Sequence, residues 1–203
     1  MKIGNVGLGV IGRTLGKKWI NAGHSVKFGV RNTDKKDYIS FVNSLGSNAT
    51  LSNIKETINF GELIFIAIPG NAIQEFFNLY AKELSEKIIV DPTNNMGAGE
   101  RNGLKYFNEY VKNAEYYRAF NNMGWENFEN PKFGSNTADL FYCGTNKEGQ
   151  KKVEELIMNV GLNPICIGGL ERISIVDSIG GLWFALAISQ KYGRHFAFKV
   201  LRD

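Results

Sequence analysis

The chain is poor in cysteine, histidine and proline, and each scarcity excludes something. Its 203 residues include two cysteines, two histidines and four prolines. The cysteines, Cys143 and Cys166, lie in the apolar runs "LFYCG" and "PICIG". They form no Cys-x-x-Cys pair and no Cys/His cluster with metal spacing, so no metal site is expected. Both read as buried free thiols in a reducing compartment. Charge of one sign is never concentrated. The net charge is +4 with a pI near 9.0, but Lys and Arg are scattered. A nucleic-acid footprint would cluster them, so nucleic acid is not an expected partner. The N-terminus "MKIGNVGLG" lacks the charged-then-apolar order of a signal peptide. The longest uncharged apolar run, Ile179 to Ser189, has about half the length of a membrane span. A soluble, cytoplasmic protein without a membrane partner is expected.

What is present is glycine, 23 residues of it, and an alternation of strand-like and helix-like segments. "KIGNV" (2–6), "SVKFGV" (25–30), "LIFIAI" (63–68) and "KIIVD" (87–91) read as strands. So do "EYYRAF" (115–120), "ADLFYCG" (138–144) and "NPICIG" (163–168). Helical spacing recurs over 10–22, 37–45, 71–84, 104–113 and 147–161. The segment 171–192 reads as a long helix interrupted by Gly180–Gly181. The alternation predicts an α/β fold, a doubly wound parallel sheet with a small C-terminal helical extension. The expected division is a dinucleotide-binding domain over 1–168 and a helical and tail segment over 169–203.

The glycine loop "GLGVIG" follows a strand and opens a helix, the context in which G-x-G-x-x-G signifies a dinucleotide site. Gly7 allows the tight turn, Gly9 lets backbone approach a pyrophosphate, and Gly12 lets helix and strand close up. The amides of Leu8, Gly9, Val10 and Ile11 would face the anion at the helix N-terminus. Farther on, a carboxylate normally meets the adenine ribose. Residues 29–33, "GVRNT", contain no acid. Arg31 can fork onto a phosphate and Lys35 can add a point charge. The site therefore reads as built for NADP(H).

The ordered set "GLGVIG", "GVRN", "AIPGNAI", "VDPTNN", "RAFNNMG" and "FAFKVLRD" resembles the NADPH-dependent coenzyme F420 reductase family. Those are compact Rossmann proteins related to the cytoplasmic reductase domains of the six-transmembrane ferric reductases. The resemblance implies that Leu8 to Ile11 hold the pyrophosphate, and that Arg31 and Lys35 hold the 2′-phosphate. It places Ile68, Pro69, Gly70 and Ile73 along the nicotinamide half, and gives the Ala119 backbone the carboxamide. Two positions depart from the family pattern. Val30 stands where Ser is usual, and Asn32 where some members carry a second Arg, which removes one or two hydrogen bonds from the 2′-phosphate grip.

Catalytic groups of other dehydrogenases are missing. There is no Tyr-x-x-x-Lys, and the final helix has no lysine before Lys191. No catalytic residue is assigned. A flavin-like or deazaflavin acceptor fits this, because its ring delocalises or protonates the charge left by hydride. Asn121, Asn122, Trp183 and His195 are candidates to face the acceptor, and the aromatic residues Trp125, Trp183 and Phe184 are expected to crowd its pocket, a larger departure from the family pattern. His24 reads as a turn residue. The loop "PTNNMGAGERNG" (92–103) is a candidate lid. Two other readings stay open, a silent NADP(H)-binding redox sensor and a reductase of a small carbonyl or imine. The apolar stretch 173–189 predicts a homodimer contact and one wall of the acceptor pocket.

Overall fold

The computed structural model describes residues 1–97, 99–145 and 148–202. Two compact units divide the chain, Met1–Tyr116 and Tyr117–Asp203. This cut falls earlier than the functional division expected at 168/169, because it follows packing rather than the count of strands.

The first unit opens with strand β1 (Lys2–Val6), helix α1 (Val10–Asn21) and strand β2 (Ser25–Val30). α2 (Lys36–Asn43) and β3 (Ala49–Asn53) follow, then α3 (Ile54–Phe60) and β4 (Leu63–Ile66). A short 3-10 turn, Gly70–Ala72, leads into α4 (Ile73–Tyr80), β5 (Ile88–Asp91) and α5 (Leu104–Tyr110). Neighbouring strands pair in parallel in the order β3-β2-β1-β4-β5. That is the expected Rossmann arrangement. All four residues of β4 are buried, as a strand covered on both faces requires. α1 turns Leu15, Trp19 and Ile20 inward at helical spacing. Trp19 meets Phe65 of β4 edge to face, with ring centroids 4.9 Å apart. Each such side chain contributes about 1.5–3 kcal/mol by leaving water. β3 and α3 are not legible in the sequence. "ATLSN" is short and half exposed, and α3 is announced only by its cap, where the Asn53 side chain accepts from the Glu56 amide at 2.9 Å.

The boundary between the units falls inside β6 (Glu115–Arg118). The second unit continues with α6 (Trp125–Glu129) and a small hairpin, β7 (Lys132–Phe133) with β8 (Asn136–Thr137). Then come β9 (Asp139–Gly144), α7 (Gly149–Val160) and β10 (Asn163–Cys166). The helix expected from 147 begins at Gly149 among the described residues, and Lys147 lies outside them. β9 runs antiparallel to β6, and β10 parallel to β9. The sheet is therefore mostly rather than wholly parallel. Between β6 and β9 the chain makes a short helix and a hairpin, not the single crossover helix that parallel strands need.

The last helix differs from expectation at the glycines. α8 (Ile173–Phe184) runs through Gly180 and Gly181 without a break, after a 3-10 turn at Leu170–Arg172. The irregularity comes later, as a π turn over Ala185–Ser189. Gly180 lies where an added Cβ would sit 3.1 Å from the Asn121 carbonyl, so the glycine serves close packing. Leu170–Ser189 together make 20 helical residues, by length and composition long and apolar enough to cross a membrane. The expectation from the shorter run Ile179–Ser189 is corrected to that extent. One face of this helix, Val176, Asp177, Gly180, Trp183 and Ala187, is buried. Cys143 is buried as expected, but Cys166 is exposed. It ends β10, an edge strand whose side chains are half open to solvent.

Candidate functional site

The site begins where β1 stops. Gly7 has φ +99, and an added Cβ would lie 2.1 Å from the Ala67 carbonyl oxygen, so this turn admits only glycine. At Gly9 the same construction meets nothing within 4 Å. One glycine is forced by the protein, and the other leaves open space beside the backbone. α1 starts at that space with no side-chain cap and no acid in its first turn. An uncapped helix start of this kind presents its first amides and positive dipole end, the arrangement to which anions bind. Asn5, fully buried in β1, donates from Nδ2 to the Gly7 carbonyl at 2.7 Å and braces the turn. Its signal was legible, as a polar residue inside an apolar strand.

One cavity of about 400 Å³ gathers much of the predicted set. Gly7, Leu8, Gly9, Arg31, Asn32, Lys35, Ile68 and Pro69 all line it, with Tyr38 and Ile54 added. No carboxylate among the described residues lines it. Arg31, Asn32 and Lys35 are exposed at its rim. The Asn32 side chain accepts from the Asp34 amide at 2.9 Å and so shapes the loop. The Lys35 ammonium lies 5.0 Å from the Tyr38 ring centroid. A second cavity, also about 400 Å³, shares Arg31, Ile54, Ile68 and Pro69 and runs along α4 past Asn71, Glu75 and Phe76. Ile68 and Pro69 thus stand beside Arg31 in both cavities. Val10 is exposed next to Gly9, Ile11 is half-buried and Gly12 is buried. Ile73 is buried, with Gly103 packed against it.

Gly70 supports the loop 92–103. A Cβ there would sit 2.5 Å from the Asn95 amide nitrogen. Asp91, fully buried, accepts from the amides of Thr93 and Gly103 at 2.7 and 2.8 Å, and from the Tyr116 hydroxyl. Asn95 N donates to the Arg101 carbonyl at 3.0 Å. The expected lid is therefore tied at both ends to one carboxylate. Ala98 lies outside the described residues.

The remaining predicted residues belong to the second unit. Ala119 follows β6 and is fully buried. Asn121 and Asn122 are buried too. Asn121 Nδ2 donates to Asp177 Oδ1 at 3.1 Å, and Asn122 Nδ2 to the Phe141 carbonyl at 2.6 Å. Arg118, 0% exposed, holds the same Asp177 oxygen from Nε at 2.9 Å and Nη2 at 2.8 Å. Trp183 is buried on α8, donates to the Phe196 carbonyl at 3.1 Å and stacks on the Phe196 ring. Asn121 and Trp183 thus meet the same helix. His195 stands apart on the hairpin, stacked on Phe133 with centroids 4.6 Å apart and bonded to the Asn130 carbonyl. Burial pushes the Cys143 thiol up to about 12. No cluster of His, Cys, Asp and Glu that could hold a metal occurs among the described residues.

Comparison with known proteins decides the family likeness. Residues 2–95 match the family described as NADP oxidoreductase, coenzyme F420-dependent. The chain resembles the F420-dependent NADP oxidoreductases. That family is NADP-linked, so the expected cofactor and the oxidoreductase class are borne out at family level. A curated relative, metalloreductase STEAP3 of Rattus norvegicus, is 26% identical over 189 residues, 88% of this chain. The chain spans 36% of that relative's length. A crystal structure from Arthrobacter sp. FB24, described as an F420-dependent NADP reductase, has a TM-score of 0.83 at 20% identity, with both chains covered fully. An imine reductase of Bacillus cereus has a TM-score of 0.62 at 12% identity, over 94% of this chain and 63% of that one. These structures show the shared fold.

Proposed function

We propose that the protein is a reductase that passes hydride from NADPH to a flavin-like or deazaflavin acceptor. The observation that carries this reading is the acid-free cleft, in which the Gly7–Gly9 turn, Arg31 and Lys35 line one cavity. The residues present fit the cofactor. The open space at Gly9 accepts a ligand close to backbone, and the uncapped start of α1 accepts a pyrophosphate. Arg31 offers a planar fork to the 2′-phosphate, with Lys35 as a weaker second charge. Ile68 and Pro69 line the same cavities as Arg31, so their place is revised from the nicotinamide half that the resemblance implied to the adenosine end. When bound, NADPH supplies a hydride at its nicotinamide ring. The chain's own task is to bind, orient and exclude water. The backbone of Ala119 is assigned to the carboxamide, and Asn121, Asn122, Trp183 and His195 remain candidates for the acceptor. The absence of Tyr-x-x-x-Lys and of a lysine in α8 supports an acceptor ring that needs no protein proton donor.

We further infer a homodimer through α8. Ile175, Leu182 and Ile188 expose apolar surface on one helix, with Leu182 51% exposed. A monomeric mass at micromolar concentration would remove that inference. The functional test is NADPH oxidation against coenzyme F420, FMN, FAD, a quinone and a ferric chelate, the last suggested by the metalloreductase likeness. Turnover is expected with F420 or a flavin. Tight NADPH binding with no turnover on any of them would favour the silent sensor.

A further inference from the structure

Arg13 does not line the dinucleotide cleft, yet its side chain joins two segments that do. Nε donates to the Leu8 carbonyl at 3.0 Å. Nη1 donates to Asp37 Oδ1 at 3.3 Å and Nη2 to Asp37 Oδ2, so both arms grip one carboxylate. The guanidinium also lies over two rings of α2, 4.8 Å from the Phe41 centroid and 5.5 Å from that of Tyr38. Tyr38 carries the Lys35 ammonium at 5.0 Å. Asp37 therefore sits in the same turn as the cationic rim. Its side chain is 74% exposed, against 26% for Arg13.

We propose that Arg13 is a positioning residue that makes the cleft selective for a 2′-phosphorylated dinucleotide. It rests on the NADPH reading above. Two physical effects combine. A trans peptide directs its carbonyl and the following N–H to opposite sides. Holding the Leu8 carbonyl on the Arg13 side thus turns the Gly9 N–H to the other side, and this effect serves any dinucleotide. The second effect is electrostatic. Asp37 places a negative charge in the turn that must receive a dianionic phosphate. Within a Debye length, an uncompensated carboxylate would repel it. Arg13 cancels that charge through a two-armed ion pair, which a lysine could not match in geometry. This second effect bears on NADPH and spares NADH.

The test is a double-mutant cycle on the full chain. Dissociation constants for NADPH and NADH are titrated for wild type, Arg13→Gln, Asp37→Asn and the double variant, with a melting temperature for each. Arg13→Gln should weaken both cofactors and lower the NADPH-over-NADH preference by about three- to tenfold. Adding Asp37→Asn should return the preference to near wild type while the shared loss persists. Asp37→Asn alone should keep or raise the preference. An unchanged preference in Arg13→Gln would overturn the proposal. So would a double variant as unselective as Arg13→Gln, which would mean that Arg13 meets the phosphate directly. Should Arg13→Gln not fold, a lowered preference in Asp37→Asn would overturn it equally. A wild type with no preference for NADPH would overturn the cofactor reading and this inference together.

Discussion

In Met1–Tyr116, the cations assigned to the site, Arg31 and Lys35, stand exposed at the rim of a glycine-built cleft, while the buried carboxylate Asp91 holds a loop through backbone amides. In Tyr117–Asp203, charge goes inside. Arg118 and Asp177 form a buried pair that Asn121 joins, and Asn127 donates from Nδ2 to the carbonyls of Gly124 and Arg194 at 3.2 and 3.0 Å. The difference concerns what each polar group is for. A rim cation is solvated without a ligand, so its removal should cost affinity and leave stability nearly unchanged. A buried ion pair holds its own unit together, so its removal should cost stability first.

The sharpest way to break this comparison is Asp177→Ala. It takes away the carboxylate that Arg118 and Asn121 share in the interior. Breaking a buried pair in this way costs about 3–5 kcal/mol. Urea unfolding measures it, and a loss below about 1 kcal/mol would put this pair in the class of solvated surface bridges.

The next predictions concern the rim. Arg31→Ala should weaken NADPH by about 10- to 100-fold, since a charge-assisted hydrogen bond contributes roughly 1.5–3 kcal/mol. NADH should change much less, and unfolding should not move. Gly9→Ala should act differently. Its new methyl meets no protein atom within 4 Å, so the fold should tolerate it. It fills the space that a pyrophosphate needs, so both cofactors should weaken together, by about tenfold or more if one charge-assisted bond is lost. Titrating both cofactors against both variants separates the roles. Equal losses for the two cofactors in Arg31→Ala would show that the arginine serves adenine or the fold. Lys35→Ala should have a smaller effect, because a flexible ammonium at the surface is screened.

The smallest effect expected is at the thiols. Cys166 is exposed and should be alkylated in the folded protein at pH 8, whereas Cys143 is buried and should react only on unfolding. Burial raises the Cys143 thiol from 9.0 to about 12. Above pH 9 the unfolded chain therefore releases this proton and the folded one keeps it. The unfolded state then binds fewer protons, so this group lowers stability progressively from about pH 9 to pH 12. Counting labelled thiols by mass, with and without denaturant, checks the assignment.

The cofactor half was legible because its chemistry is written in consecutive residues. A turn that needs φ > 0, a helix start without an acid and an arginine just past β2 are local facts. So were most strands and helices, whose apolar periods follow from burial on one or two faces. The candidate acceptor residues were not legible in this way. Asn121 and Asn122 were candidates to face the acceptor, and in the structure their Nδ2 groups donate to Asp177 and to the Phe141 carbonyl. His195 looked available, and it stacks on Phe133. β3, α3, α6 and the hairpin were missed because they are short and weakly patterned.

By itself, then, the order of residues determined the Rossmann half, the glycine turn with an acid-free "GVRNT" segment after β2 and the absence of the usual catalytic pairs, since each depends on near neighbours in the chain. Only tertiary structure decided that β9 runs antiparallel to β6, that Asp91 ties both ends of the 92–103 loop and that Gly180 belongs to an unbroken helix. It alone placed Arg13 between Leu8 and Asp37, 24 residues apart from the latter. The reason is the same throughout. Local propensity and period report on backbone choices within a few residues. A polar side chain finds its partner only after the chain has folded and brought distant segments to hydrogen-bond range.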